Sequence, residues 1–391
     1  MKKLKNFIGL LLHVKFKIFK RKNIKIIVID DEERSENELL LKKHLNKTFF
    51  LSTRFYAINF FFLNSKILLN TFKYLIKGNF SLSSYFASLI EFVKPKIILT
   101  TCDNSHHFFK TAKILHKKFK FIAIQRSSRD SIVKLPKKLK EIIFIPEYFC
   151  FGEYEKKFYR AIGANVSKFK PIGSYHFSNF ENKIDIKKIK ENYDICLIAE
   201  VPYKHDFNFN EEGQKLATFI KKFAEKYNLK VVVAGKRRNN INKKLILAKK
   251  TGVSLENTFD PEYSFYTKIF GKKNYKINIK GQFSSYKTAM KSKVVIGMSS
   301  TMLREMLAVG KKILVWSSKK HLSSRTKFPI KGLCLLQCNG YDEFEKRLKK
   351  IIFISKNKYF TKLKNDPKKL VFYNKNYSTN SKIINEIEKY I

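Results

Sequence analysis

The stretch that most constrains this chain is residues 292–316, SKVVIGMSSTMLREMLAVGKKILVW, which reads as strand, short polar loop, helix, strand. The β-branched run of Val294, Val295 and Ile296 is halted by Gly297, and Ser299, Ser300 and Thr301 supply N-cap chemistry. Gly310 ends the helix before residues 312–316 resume an extended apolar pattern, so the whole is a βαβ unit. A helix opened by small hydroxyl residues presents unpaired backbone N–H groups and the positive end of its dipole, a combination that holds phosphate without metal. Thr301 and Glu305 lie four residues apart on one face, while Leu303, Met306 and Leu307 lie on or near the side that packs on the sheet. A carboxylate so placed can bond a sugar hydroxyl beside the phosphate. The same residues also read as a plain helix cap and a solvated charge.

Composition sets the frame for the rest. A chain of 391 residues fits two domains that each bury a core, and 44% hydrophobic content excludes wholesale disorder. The formal charge of +49 comes mostly from Lys spread along nearly the whole chain. Such a field favours lipid head groups, nucleotide sugars or nucleic acid. Abundant Lys, Asn, Ile, Phe and Tyr with few Pro, Gly and Trp is also what an AT-rich genome produces, so the charge alone names no partner. Five cysteines, with no CxxC pair and no His at zinc spacing, read as free, mostly buried thiols in a reducing compartment; Cys334 and Cys338 read as structural. The sequence contains no Walker loop, GxGxxG, GxSxG or HExxH motif and no internal repeat.

Residues 1–23 begin with lysines, but the apolar run of residues 7–14 is too short to span a bilayer, and no small-residue cleavage site follows. As a helix this segment places Leu4, Phe7, Ile8 and Leu11 on one side between lysines, which suits either an interfacial anchor on the cytoplasmic leaflet or a first helix packed on the domain. Residues 24–30, IKIIVID, form a buried strand that runs into Asp31, Glu32, Glu33, Arg34, Glu36 and Glu38. Ligands of open parallel sheets bind beyond the carboxyl ends of strands, so this acidic island is placed for acceptor chemistry; acids at a helix start are equally ordinary dipole partners.

The apolar strand at residues 96–101 leads into Cys102, Asp103, Asn104, Ser105, His106 and His107, and the strand at 121–124 ends in Gln125, Arg126, Ser127, Ser128, Arg129 and Asp130. Two successive strands thus deliver polar clusters to one edge. Adjacent histidines point apart and no carboxylate follows at i+4, so no metal is assigned to them. Asp103 is the candidate general base, or the residue that orients an acceptor hydroxyl. Residues 148–152 read as a strand, residues 175–192 as a hinge with little apolar pattern, and residues 193–199 as the opening of a second domain. There a helix bearing Leu216, Phe219, Ile220 and Phe223 precedes a strand at 229–234 and the basic cluster Gly235, Lys236, Arg237 and Arg238, placed for phosphate or simply exposed. The loop through Ser324, Arg325 and Pro329 reads as a donor-side lid, residues 344–352 as a helix, and the repeat of Ile383, Ile384, Ile387 and Ile391 as an amphipathic C-terminal helix.

Ser299-Ser300-Thr301, then Glu305, then Gly310-Lys311-Lys312 before an apolar strand, resembles the donor-binding segment of GT-B glycosyltransferases of surface-polysaccharide synthesis. Asp103-Asn104 followed by Phe108 and Phe109, and Ile124-Gln125 with Arg129 four residues on, resemble paired signatures in the first domain of the surface carbohydrate or O-antigen biosynthesis proteins, distant relatives of polysialyltransferases and teichoic-acid glycerophosphotransferases. Where that family often has Asn or His and a Gly soon after the Gln, this chain has Arg126 and Ser127. The resemblance covers residues 24–352. It implies an α/β, GT-B-like fold: two facing Rossmann-like domains with parallel sheets and a C-terminal helix crossing back. The expected division is an acceptor-side domain at 1–178, a nucleotide-donor domain at 192–355 and a tail at 356–391.

The function it implies is transfer of a sugar from a nucleotide-sugar donor to a lipid-linked or growing surface glycan, of the lipopolysaccharide O-antigen or capsule type, at the cytoplasmic membrane face. Under that reading Asp103 and Glu33 are catalytic, and Asn104, Gln125 and Arg129 are acceptor-side. Ser299, Ser300, Thr301, Glu305 and Lys236 bind the donor, with no metal and no cofactor beyond the nucleotide sugar as substrate. The partners are the donor, a glycan or lipid-linked acceptor and an anionic membrane surface; nucleic acid is not expected. The alternatives are a CDP-polyol phosphotransferase of the same fold and a non-catalytic basic protein that binds nucleic acid or membrane.

Overall fold

The computed structural model describes residues 15–18, 23–30, 34–53, 60–79, 81–129, 140–201, 207–235, 261–276, 283–318, 328–374, 376 and 378–391. The N-terminal amphipathic stretch at 1–14, Glu33, Lys236 with Arg237 and Arg238, and the lid residues Ser324 and Arg325 lie outside the described residues.

Two six-stranded parallel sheets carry the architecture of the described residues. The first takes β2 (Ile26–Ile29), β3 (Thr48–Leu51), β5 (Ile97–Thr100), β6 (Lys120–Ile124), β7 (Phe144–Cys150) and β8 (Asn165–Pro171) in the order β3-β2-β5-β6-β7-β8. The second takes β9 (Tyr193–Ile198), β10 (Val231–Ala234), β11 (Tyr275–Lys276), β12 (Ser292–Gly297), β13 (Lys312–Ser317) and β14 (Leu335–Gln337) in the order β11-β10-β9-β12-β13-β14. Strands such as IIVI and VVVA are buried along their whole length, because helices cover both faces of a parallel sheet. Strand order reverses at β2/β5 in the first sheet and at β9/β12 in the second, and crevices for ligands open beyond the carboxyl ends of strands at such points.

Two short strands, β1 (Lys15–Lys17) and β4 (Phe60–Phe62), pair in parallel outside both sheets. Residues 15–17 therefore do not continue a helix from the N-terminus: pairing with the Phe60–Phe62 strand, and stacking of Phe16 on Phe61, override a helical spacing.

One face of the first sheet is covered by helices Leu82–Val93 and His106–Leu115, which contribute Phe86, Ile90, Phe108, Ala112 and Leu115. The other face takes Leu40 and, from the last helix, Thr379–Glu388, Ile383 and Ile387, packed with Ile26, Val28, Leu99 and Ile124. The C-terminal helix thus crosses back onto the first domain. In the second domain, Leu216, Ile220 and Phe223 of helix Phe207–Lys226 pack with β9, β10, β12 and β13.

The connection at 175–192 differs from the open hinge read from its polar composition. It begins with helix Tyr175–Glu181, whose Tyr175 joins the first core while Phe177 and Phe180 join the second. Three aromatics at 175, 177 and 180 match neither a strand nor a one-sided helix, so a bridge that buries opposite faces in two cores leaves no periodic signal.

The returning tail is fastened at the ends of β7 and β8. Phe372 N donates to Phe151 O at 2.7 Å and Thr379 Oγ1 to Ile172 O at 3.0 Å. Gly173, at φ +100°, lies where a Cβ would run into the Phe372 carbonyl and stand 2.7 Å from Thr379 Oγ1. Gly173→Ala is therefore expected to cost at least ~1 kcal/mol in urea unfolding from backbone strain and this collision together, whereas Gly163→Ala, also at positive φ but with open space around it, carries the strain alone and costs less.

Candidate functional site

The site is built from the carboxyl ends of both sheets. Beyond β12, Ser300 is the N-cap of helix Thr301–Ala308 and its Oγ accepts from Met302 N at 3.3 Å. Ser299 is engaged differently: its N and Oγ both donate to Glu200 Oε2, at 2.8 and 2.7 Å, and Met298 N donates to Glu200 Oε1 at 2.5 Å. Glu200 follows β9, the strand beside β12, and is buried. Its carboxylate fills the turn in which the hydroxyl run led us to expect a phosphate. Gly297 makes this approach feasible, since a Cβ there would stand 2.6 Å from Glu200 Oε1.

Thr301 turns toward the first domain. Its Oγ1 accepts from Ser128 N at 2.9 Å and lies 3.2 Å from Ser128 Oγ, so the loop beyond β6 meets the N-terminus of the helix. Glu305, one turn further, shares that face. Ser174 Oγ donates to its Oε1 and Tyr286 OH to its Oε2 at 2.7 Å. Burial pushes the Glu305 carboxyl above the ordinary glutamate value; the two hydroxyls and nearby His176 oppose this only in part. It is not a solvated charge. Arg304 beside it pairs with Glu155 across the domains at 3.3 Å, both side chains being almost wholly buried, and lies over the Tyr154 ring.

In the first domain, Asp103 is fully buried. Arg129 Nε donates to its Oδ2 at 3.1 Å, Arg129 Nη2 donates to its Oδ1, and Tyr148 OH adds a bond to Oδ2 at 2.7 Å. Burial works against the Arg129 charge, but the adjacent Asp103 carboxylate outweighs it and holds the guanidinium pKa above its usual value. The same burial, with the Asp103 charge, drives the Tyr148 phenol well up. Gln125 is also buried; its Oε1 accepts from Phe151 N at 2.7 Å and its Nε2 donates to Ser127 O at 3.2 Å, tying the ends of β6 and β7 to the 126–129 loop. Asn104 is exposed.

From the acidic run after β2, the residue within the described structure that joins this interface is Glu36. It receives Tyr175 OH at 3.2 Å and pairs with His176 Nδ1 at 2.8 Å. Burial alone would raise its pKa, but the His176 bond and charge bring it below the ordinary value.

The structure thus gathers Asp103, Gln125 and Arg129 in one network and joins their loop, through Ser128, to Thr301, with Ser299, Ser300 and Glu305 on the same helix start. Glu36 belongs to the acidic run read as acceptor-side, whereas Glu200, Ser174, Glu155 and Arg304 were not assigned a site role from sequence; all five owe their roles to partners more than 90 residues away. The one local signal was Gly297 opposite an acid at the neighbouring strand end. A surface hollow lined by Gly310, Lys356, Lys364 and Asp366 lies at the opposite end of the helix and is no part of this site.

No family model and no curated protein matches the sequence. Solved structures do match. A UDP co-structure of S. aureus MnaA aligns with a TM-score of 0.51 at 12% identity, over 93% of this chain and 96% of that one. UDP-GlcNAc 2-epimerase from Neisseria meningitidis bound to UDP-GlcNAc gives 0.50 at 14% identity, over 93% and 99%. The Methanocaldococcus jannaschii UDP-GlcNAc 2-epimerase in complex with UDP-GlcNAc and UDP gives 0.51 at 12% identity, over 94% and 100%. The chain has a GT-B-like fold. At these identities the likeness is one of fold. In this GT-B-like chain the two switch points face each other, and Ser128 and Thr301 are where the facing edges touch.

Two outcomes follow from the buried charges. Asp103→Asn leaves Arg129 uncompensated and is expected to cost about 3–5 kcal/mol in urea unfolding, whereas Asp103→Leu combined with Arg129→Met costs less than the sum of the single changes. Glu305 binds its proton more tightly folded than unfolded, so its effect on stability is favourable at low pH and is lost as pH rises from 4.5 through the raised folded value. The stability of Glu305→Gln relative to the parent therefore increases with pH above 4.5 in thermal melts across a pH series, and a flat difference contradicts the assignment.

Proposed function

We propose that this protein is a glycosyltransferase that moves a sugar from a nucleotide-sugar donor to a glycan or lipid-linked acceptor of surface-polysaccharide synthesis, working at the cytoplasmic face of the membrane. The observation that carries the reading is the meeting of the two strand-end edges at Ser128 and Thr301, over a helix N-terminus with Ser300 as its cap. Backbone N–H groups and the helix dipole at that point suit the phosphates of a donor.

In this reading the phosphates sit at Ser300 and Thr301. Ser299 acts through Glu200, which holds the turn, and Lys236 adds a cation. Donor entry displaces Ser128 from Thr301, so the domains part at this edge, and parting frees Glu305 from Ser174 for the ribose or sugar hydroxyls. Asp103, with both oxygens bonded, positions Arg129 and the 126–129 loop, and Gln125 fixes that loop to β7. The acceptor then meets exposed Asn104, and the base that takes its hydroxyl proton is Glu33. No step needs a metal in this scheme, because helix dipole and basic groups carry the leaving diphosphate.

A second reading, conversion of a nucleotide sugar with no acceptor, is favoured by the UDP-GlcNAc 2-epimerases that share the fold. The two differ in what they consume. A thermal-shift panel of CMP, CDP, UDP, GDP and dTDP first identifies the nucleotide; a ligand at a hundredfold excess over its dissociation constant stabilises by about 2.7 kcal/mol. One nucleotide standing out, with the shift reduced at least tenfold in affinity by Thr301→Val, supports the site. CDP standing out turns the reading toward polyol-phosphate transfer. Incubation of the matching nucleotide sugar without acceptor is then expected to leave it unchanged by NMR, and its turnover alone favours the epimerase. Equal shifts with every anion, erased by salt, overturn both.

A further inference from the structure

Among the described residues, seven of the eleven large hydrophobic side chains that stand exposed belong to two short segments, 16–18 and 63–76. Helix Ser65–Ile76 carries four of them, Leu68, Leu69, Phe72 and Ile76, at 50 to 69% exposure. Its opposite side is anchored, Ile67 being fully buried against the first domain. At 100° per residue these four side chains fall within an arc of about 100°, and Lys73, Lys66 and Lys77 occupy the next sector, within about 80° beyond it. The helix is therefore amphipathic twice over, with its buried side on the domain and its outer side split between an apolar stripe and a lysine flank.

Exposed apolar side chains also stand on the β1–β4 pair, which ends just before this helix begins. Leu63 N bonds Lys17 O at 2.8 Å, which brings exposed Leu63 beside exposed Ile18 and Phe16, between exposed Lys15 and Lys17. Next to the lysine flank lies a hollow lined by Lys73, Lys77, Lys94 and Lys118, in which Glu91 is paired to Lys118 at 2.6 Å. Residues 1–29 and 39–90 contain no Asp or Glu at all. Residues 1–14, MKKLKNFIGLLLHV, join this patch at Lys15 and repeat its composition of lysines and aliphatics.

We propose that this face of the first domain is a docking surface for an anionic lipid bilayer, with Leu69, Phe72 and Ile76 entering the acyl boundary and Lys66, Lys73 and Lys77 on the head groups. Aliphatic and aromatic side chains beside lysines on a surface-parallel helix match the chemistry of a membrane interface, where apolar area and cationic charge act together. A second copy of this chain is disfavoured, because it would set a basic rim, whose Glu91 is already paired to Lys118, against its equal. Nucleic acid would use the lysines but leave the leucines and isoleucine in water. The inference deepens the transferase reading by fixing which face lies on the membrane, yet it rests on exposure and charge and is tested apart from it.

The test is flotation of the full chain with phosphatidylcholine vesicles and with vesicles containing roughly one-third phosphatidylglycerol, at moderate salt. The parent is expected to float with the anionic vesicles alone. Leu69→Ser/Phe72→Ser/Ile76→Ser and, separately, Lys66→Gln/Lys73→Gln/Lys77→Gln are each expected to lower partitioning at least tenfold, each lysine near such a surface being worth about fivefold. Removing three lysines elsewhere, at 346, 349 and 350 on helix Tyr341–Phe353, is expected to change it less than about threefold. In Phe72→Trp, the new indole is expected to shift to the blue with anionic vesicles, against buried Trp316 as background. Equal losses from the distant lysines, an unaffected apolar triple variant, or no blue shift overturns the proposal. Melting curves and the nucleotide shift, read without vesicles, report folding and the donor site separately.

Discussion

Everything else in this molecule depends on one eight-residue helix, Thr301–Ala308, buried on all sides while carrying two charged groups. Leu303, Met306 and Leu307 belong to the core of its own domain, and that packing fixes the rotation of the helix. With the rotation fixed, Arg304 and Glu305 have nowhere to go but toward the first domain. Buried charges persist only where partners are supplied. From the first domain Glu155 answers Arg304 and Ser174 answers Glu305, while Tyr286 adds a bond to Glu305 from within the second domain. The mutual orientation of two domains is thereby tied to hydrogen bonds that are made when the domains meet.

The same logic runs through the rest of the contact surface. Asp103 and Arg129 neutralise each other under the 126–129 loop, Gln125 ties that loop to β7, and Ser128 then reaches Thr301. Glu200 satisfies the N–H groups of Met298 and Ser299 that would otherwise stand unpaired at the end of β12. The polar groups of Asp103, Gln125 and the Met298–Ser299 turn are thus held by deeper groups, and beside the buried Arg304–Glu155 and Ser174–Glu305 contacts the strand-end edges meet at Ser128 and Thr301, a pair of neutral partners. Neutral bonds of this kind are worth about 1 kcal/mol net, small enough for a ligand to replace.

Much of the fold is legible in the sequence. The runs IIVI, IILT, YDICLI and VVIG are apolar enough that only strands covered on both faces accommodate them, and their alternation with helical stretches implies parallel sheets. The βαβ unit at 292–316 and the polar clusters after β5 and β6 are placed correctly at strand ends for the same local reasons. The bridge at Tyr175–Glu181 and the β1–β4 pair are not legible, because their side chains answer to two cores or to a strand over 40 residues away. The state of the site residues is legible least of all. Ser299, Asp103 and Gln125 read as open chemistry, and each is found bonded inward, since a strand end shows that a polar residue is present but not which neighbour claims it.

The sequence by itself determined the alternating strands and helices of an α/β chain, the positions of the strand ends, the hydroxyl-capped helix and two lysine-bearing stretches without acids, residues 1–29 and 39–90, because periodicity, capping and charge are properties of neighbours along the chain. Only the tertiary structure decided that Glu305 is buried between the domains, that Glu200 occupies the turn before Ser300, that the last helix returns to the first sheet, and that Leu68, Leu69, Phe72 and Ile76 remain outside. Those outcomes depend on which surfaces meet across the chain. Burial and pairing at such contacts are set by partners that no local pattern encodes.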